Sequence, residues 1–208
     1  MAALVAWLLT HINYWTVAIF MAVESSFVPF PSEVVVPPGA YKAAAGELSL
    51  IWVVIVATVG ADLGALFNYY IARYFGRDFV YRFAQSKLGR LCLLNEEKIA
   101  RAELFFRKYG AVATMTGRLV PVVRQFISIP AGLSKMPVGK FLIYTTLGAG
   151  AWNIVLAVIG YALHSVVAYE DLVPMVESYS KPIGLAIALV AALALLVVFL
   201  KKRFEIQK

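Results

Sequence analysis

Charge is scarce in this 208-residue chain. Asp, Glu, Lys and Arg make up 15% of it against 62% hydrophobic residues, which excludes a water-soluble domain and points to an integral membrane protein. Cysteine is nearly absent. Cys92 alone rules out an intrachain disulfide framework or a CxxC redox pair. The two histidines, His11 and His164, are too far apart in the chain to offer metal-ligand spacing, so neither a metal nor another cofactor is expected. Acids number 12 against 19 Lys and Arg, a net charge of +7. The basic residues flank apolar segments, which suits anionic membrane lipids better than nucleic acid. No nucleic-acid partner is expected, and association between copies of the chain stays open.

What the chain has instead is long apolar runs. A spanning helix needs about 20 apolar residues, and three stretches qualify. Residues 48–72 are interrupted by Asp62 and Asn68, residues 141–163 contain Asn153 and several glycines, and residues 182–200 carry no polar side chain. Residues 2–23 are also apolar. They lack the positive leader and small-residue cleavage pattern of a secretory signal, so they are expected to be retained, spanning or tilted at the interface.

The charges are unevenly placed. Residues 73–109 hold nine Lys or Arg against four acids, and the chain ends in KKRFEIQK, whereas 164–181 holds Glu170, Asp171 and Glu177 with one Lys. The excess of positive charge puts 73–109 and the C-terminus in the cytoplasm. Within 73–109, Asn95 with Glu96 and Glu97 reads as a helix start. Ile99, Ala102, Phe106 and Tyr109 recur at helical spacing, and Gly110 reads as a stop. The expectation is a basic amphipathic helix resting on the inner leaflet.

Two segments break the apolar background: FVPFPSEVVVPPGAY and GRLVPVVRQFISIPAGL. Each begins with a Val-Pro step (Val28-Pro29, Val120-Pro121) and ends at a glycine, Gly39 or Gly132, preceded by proline. Proline removes an amide donor and breaks a helix. Broken backbone at membrane depth is tolerated only where protein buries it or a watery cavity adjoins it, and two such breaks in corresponding halves point to a transport site. A helix with Thr58-Val-Gly60-Ala follows the first break and one with Thr146-Leu-Gly148-Ala follows the second. With the charge topology, this predicts an inverted repeat whose two breaks enter from opposite sides.

The charges inside these segments are the candidate site. A charge in a membrane segment costs about 2.5–3.5 kcal/mol on insertion scales, so it usually faces a cavity or a partner. Asp62 lies mid-helix between Gly60 and Gly64; it either serves function or pairs with Arg118 or Arg124 to hold the fold. Glu24 and Glu33 bracket the first break and, if partly buried, are candidates for proton coupling. For both, and more for Glu24, the alternative is an exposed position at the outer interface. Arg118 and Arg124 flank Pro121. They either converge as a forked phosphate clamp or snorkel to headgroups.

FVPFPSE after Glu24, Gly39, Asp62 in a glycine-rich helix, and GRLVPVVRQFISIPAGLSKM together resemble the DedA family of membrane proteins, over roughly residues 24–164. The resemblance implies two re-entrant helical hairpins packed against spanning helices in the bacterial cytoplasmic membrane, and lipid transport. The implied substrate is undecaprenyl phosphate, with phosphatidylethanolamine or broader phospholipid flipping as the alternative. It implies substrate-binding roles for Arg118, Arg124 and Glu33 and proton-coupling or gating roles for Glu24, Glu33 and Asp62. Many members carry Gly-Asp or Gly-Glu where this chain has Ser32-Glu33.

The expected fold is therefore all-α, a single transporter domain over 1–208. It comprises an N-terminal helix (1–23), a first repeat (24–72), the cytoplasmic amphipathic segment (73–109), a second repeat (110–163) and a C-terminal spanning helix (182–200). A membrane lipid phosphatase is the rival from another class. It would need a nucleophile or base, commonly His, and neither His11 nor His164 adjoins a broken segment, so no enzymatic activity is expected. A scaffold without transport could have avoided the embedded charges.

Overall fold

The computed structural model describes residues 7–26, 31–87, 96–110, 112–119, 123–124, 126–176 and 178. The 182–200 stretch, Pro29, Cys92, Asn95 and Pro121 lie outside the described residues. Among those described there is no strand.

The first helix, α1, spans Tyr14–Glu24. Asn13 caps it: its Oδ1 accepts from the amides of Trp15 and Thr16, while Thr16 Oγ1 accepts from the Asn13 amide. This local cap breaks the N-terminal apolar stretch at residues 11–13, so it is not one spanning helix. At 11 residues α1 is about 16 Å long, roughly half an apolar bilayer core. A 3-10 turn at Ser32–Val34 leads into α2, Val36–Ala44, whose prolines sit in its first turn, where the missing amide costs no internal bond.

Helix α3 runs Leu50–Gln85. It does not stop near Ala72 as the hydropathy suggests but carries on through Arg73, with its one non-helical residue at Gly76 (φ 75°). Then come α4 (Glu96–Tyr109), α5 (Val112–Arg118), α6 (Ser128–Leu133) and α7 (Val138–Leu163), followed by a 3-10 turn at Tyr169–Asp171. By length and composition α3 and α7 can cross a membrane. Each leaves an apolar stripe uncovered: Ile51, Ile55, Val59, Leu63 and Phe67 on α3, and Ile143, Leu147, Ile154 and Val158 on α7. Such stripes on a helix pair suit contact with lipid.

Helices α3 and α7 lie antiparallel, with Thr146 against Asp62 and Asn153 against Thr58. Helix α1 runs parallel to α3. The Ser49 amide donates to Tyr14 Oη at 2.7 Å, and Asn68 Nδ2 donates to the Ser25 carbonyl at 3.1 Å. Tyr14 is thus level with Ser49, and Ser25 with Asn68, so the chain climbs along α3 and returns to where it began. The returning limb, α2, packs on α7, and Tyr41 Oη donates at 2.9 Å to the carbonyl of Val167, just past the end of α7. The second excursion mirrors this exchange: α5 lies on α7, and α6 crosses to α3.

Glycine makes these contacts close. A Cβ on Gly60 would lie 2.3 Å from the Ala18 carbonyl oxygen, and one on Gly148 would lie 2.6 Å from that of Met115. These are the two glycines of the matching Thr-x-Gly-Ala stretches, and each receives the first limb of its own excursion. Helix α4 buries Ile99, Ala102 and Phe106 against neighbouring helices. That face is covered by the chain itself rather than left for the inner leaflet, while Leu104 stays exposed.

Candidate functional site where the two broken segments meet

The two excursions bring their inner ends together between α3 and α7. Glu24, the last residue of α1, is 3% exposed. Its Oε1 lies 2.7 Å from Arg124 Nη2, and its Oε2 accepts from Ser25 Oγ at 2.9 Å. The N–H of Arg124 is poorly aimed at Oε1, so that oxygen has charge compensation without a well-directed hydrogen bond. Glu33 Oε2 lies 4.0 Å from the same nitrogen, Arg124 Nη2. One end of the Arg124 guanidinium therefore serves two carboxylates, and the side chain is itself mostly buried.

Trp152 of α7 fixes the arrangement. The Arg124 guanidinium sits 5.7 Å from its ring centroid, a cation–π distance. Its indole Nε1 donates to Ser32 Oγ at 3.3 Å. One side chain thus touches both broken segments. Arg118, at the end of α5, is 4% exposed and donates from Nη2 to Ser128 Oγ at 3.1 Å, while its Nε has no partner. Neither arginine snorkels to the surface. Both line one gap with Glu24, Trp152 and Asn153, but different partners hold them, Ser128 for Arg118 and Glu24 for Arg124. The gap has a volume of only about 10 Å3, barely room for one water. The site is closed.

Asp62 is held apart from the ion pair. Thr146 Oγ1 donates to its Oδ2 at 2.7 Å, and its buried Oδ1 has no partner. It lies within electrostatic reach of Arg118, which also feels Glu24 and Arg124. All five expected residues therefore belong to one charge system: three carboxylates and two guanidiniums. The exposed alternative for Glu24 does not hold, since it is the direct partner of Arg124. Sequence reasoning missed Trp152, Ser25, Ser32, Ser128 and Thr146. The available signal was an indole four residues after Gly148 in a helix otherwise rich in small residues. Both histidines lie elsewhere: His11 stacks on Trp7 and His164 packs edge-on against Tyr41.

The VTT domain matches residues 30–162, which include Glu33, Asp62, Arg118, Arg124 and Trp152, with Glu24 just upstream. An alkaline phosphatase-like protein of Lactococcus lactis subsp. lactis (strain IL1403) is 36% identical over 98% of this chain and 94% of its own. Undecaprenyl phosphate transporter A of Bacillus subtilis (strain 168) is 34% identical over 96% of this chain and 94% of its own. Protein DedA of Escherichia coli (strain K12) is 26% identical over 82% of this chain and 72% of its own. No solved structure matches.

Proposed function

The chain belongs to the VTT-domain family, also called DedA, and from that premise we propose that it moves a phosphate-headed lipid across the bacterial cytoplasmic membrane, with undecaprenyl phosphate the favoured substrate. The observation that carries this reading is Arg124, mostly buried beside Glu24 and Glu33 and braced by Trp152 where the two broken segments meet. A lipid headgroup with a terminal phosphate is a natural competitor for that guanidinium, because it offers acceptor oxygens in the fork geometry arginine favours.

The excursions are read as re-entrant hairpins of an inverted repeat. Three features support this: the level return of Tyr14 to Ser49, the exchange of second limbs between α3 and α7, and the equivalent roles of Gly60 and Gly148. In this reading the basic residues of 73–109 face the cytoplasm, and the two hairpins form the two halves of a gate.

Charge arithmetic leads from the gate to a proton. With the site closed, Arg118 and Arg124 face Glu24, Glu33 and Asp62. A phosphate that claims the arginines leaves the carboxylates uncompensated in a nearly dry site, and a buried charge stripped of its partner is costly. Proton uptake by a carboxylate relieves that cost. Protonation and lipid binding thus favour the same open state, the differential interaction that a population shift requires. Phosphatidylethanolamine or a broader phospholipid range is the alternative cargo, since its phosphodiester would meet the same arginines.

The name of the Lactococcus relative raises a phosphatase reading. Transport is preferred because both histidines are engaged away from the ion pair, so the common base of such an enzyme is not at hand. Reconstitution with fluorescent undecaprenyl phosphate in sealed liposomes tests the proposal. Flipping without release of inorganic phosphate supports it; stoichiometric phosphate release would replace it with hydrolysis.

A further inference from the structure

A second cavity, of about 350 Å3, opens at the end of α3 that the charge bias assigns to the cytoplasm. That is within the size range of small-ligand pockets. It is separate from the gap around the buried ion pair: no residue that lines the one lines the other. Four cations line it, Arg73, Arg77, Arg107 and Lys135, against one carboxylate, Glu103, with an apolar wall that includes Phe106. Arg77 pairs with Glu103, and Arg73 donates to the Tyr69 hydroxyl and, at 3.3 Å, to the Met136 carbonyl. Among the described residues neither Arg107 nor Lys135 has a carboxylate partner.

Lys135 carries the argument further. It ends α6 in a left-handed conformation, φ 53°, the one non-glycine residue with positive φ among those described. Its amide donates to the Gly132 carbonyl and the Met136 amide to that of Ala131, the paired bonds of a helix ending where glycine is the usual residue. A lysine there costs strain that glycine would not. A strained cation on the rim of a cation-lined cavity points to a use for its charge. Depth adds a second constraint. Tyr74 and Phe75 are exposed beside Arg73 and Gly76, as aromatic side chains are at the level of lipid headgroups.

We propose that this cavity is a second binding site for the phosphate headgroup of a membrane lipid, where it docks at the cytoplasmic face before or after passing Arg124. The location rests on the cavity alone; the choice of a lipid phosphate rests on the transport reading above. The cavity is also joined to the buried site by structure. Pro130, Leu133 and Ser134 line it, and they belong to α6 and its end, the segment whose Ser128 holds Arg118.

The test is photolabelling of the full chain in phosphatidylcholine nanodiscs. The probe is a ten-carbon prenyl phosphate with a diazirine in its first isoprene unit. Peptides containing 103–107 and 130–135 should be labelled. Lys135→Gly and Arg107→Gln should each reduce that labelling about tenfold, the effect of one charged contact. Lys135→Gly should leave the unfolding midpoint unchanged or higher, which separates a binding role from a structural one. Three results would overturn the site: labelling confined to the surroundings of Trp152 and Ser32, equal labelling by the matching prenyl alcohol probe, or no effect of either variant. Displacement of the probe by an equal concentration of inorganic phosphate would make the ligand a free anion and overturn the lipid assignment. Failure of lipid flipping in liposomes would sink the transport reading and leave this labelling standing.

Discussion

Arg124 and Glu24 are joined by a 2.7 Å contact between segments 100 residues apart in the chain, with both side chains largely removed from solvent. The pair ties the end of α1 to the second broken segment and leaves almost no space around it. In the proposed transport cycle the closed gate and the substrate site are built from the same atoms, so stability and transport must be separated by experiment.

Arg124→Ala should destabilise the protein by about 3–5 kcal/mol, because Glu24 is left buried without its partner. Adding Glu24→Gln should recover most of that loss while transport stays abolished. Thermal unfolding in detergent reads the first effect and liposome flipping the second. A double variant as unstable as Arg124→Ala would show that the pair is not what holds the segments together.

Gly60→Ala and Gly148→Ala should each cost about 1–3 kcal/mol, since the added methyl meets a backbone carbonyl that cannot turn aside. Gly139→Ala is the control, with nothing within 4 Å of its Cβ and no positive φ. Equal midpoints for all three variants would contradict the close limb contacts.

Asp62→Asn removes a carboxylate that Thr146 and the field of Arg118 serve. We expect it to flatten the pH profile of transport and to weaken the response to an imposed proton gradient, with Glu33→Gln acting in the same direction. Measured flipping rates between pH 6 and 8 check this. Unchanged profiles in both variants would make the protein an uncoupled scramblase.

Gln85→Cys in a Cys92→Ser background should react with a membrane-impermeant thiol reagent only after the cells are opened. Labelling of intact cells would reverse the charge-based orientation and the side assigned to the Lys135 cavity.

Much of the site was readable because proline and charge are conspicuous in apolar sequence: Glu33, Asp62, Arg118 and Arg124 stand out against their neighbours. The pairing of Arg124 with Glu24 was not, since contact between segments so distant in the chain leaves no local pattern. Helix α3 was cut short at Ala72 because hydropathy falls there while helix propensity does not; Arg, Phe and Tyr continue a helix, and only Gly76 bends it. The break before α1 had a local cause in Asn13 and Thr16, but a Thr in place of the usual Glu or Gln made the capping box easy to overlook. The amphipathic pattern of α4 was read correctly as a helix. Its apolar face could equally meet lipid or protein, and Ile99, Ala102 and Phe106 meet protein.

The most direct test of the central claim is the flipping of undecaprenyl phosphate in sealed liposomes, run in parallel with phosphatidylethanolamine, by wild type and by the Arg124→Ala/Glu24→Gln double variant. Wild type should flip the prenyl phosphate faster than the phosphatidylethanolamine, and the stable double variant should flip neither above protein-free liposomes. Wild-type rates in the double variant would contradict a transport site built on Arg124.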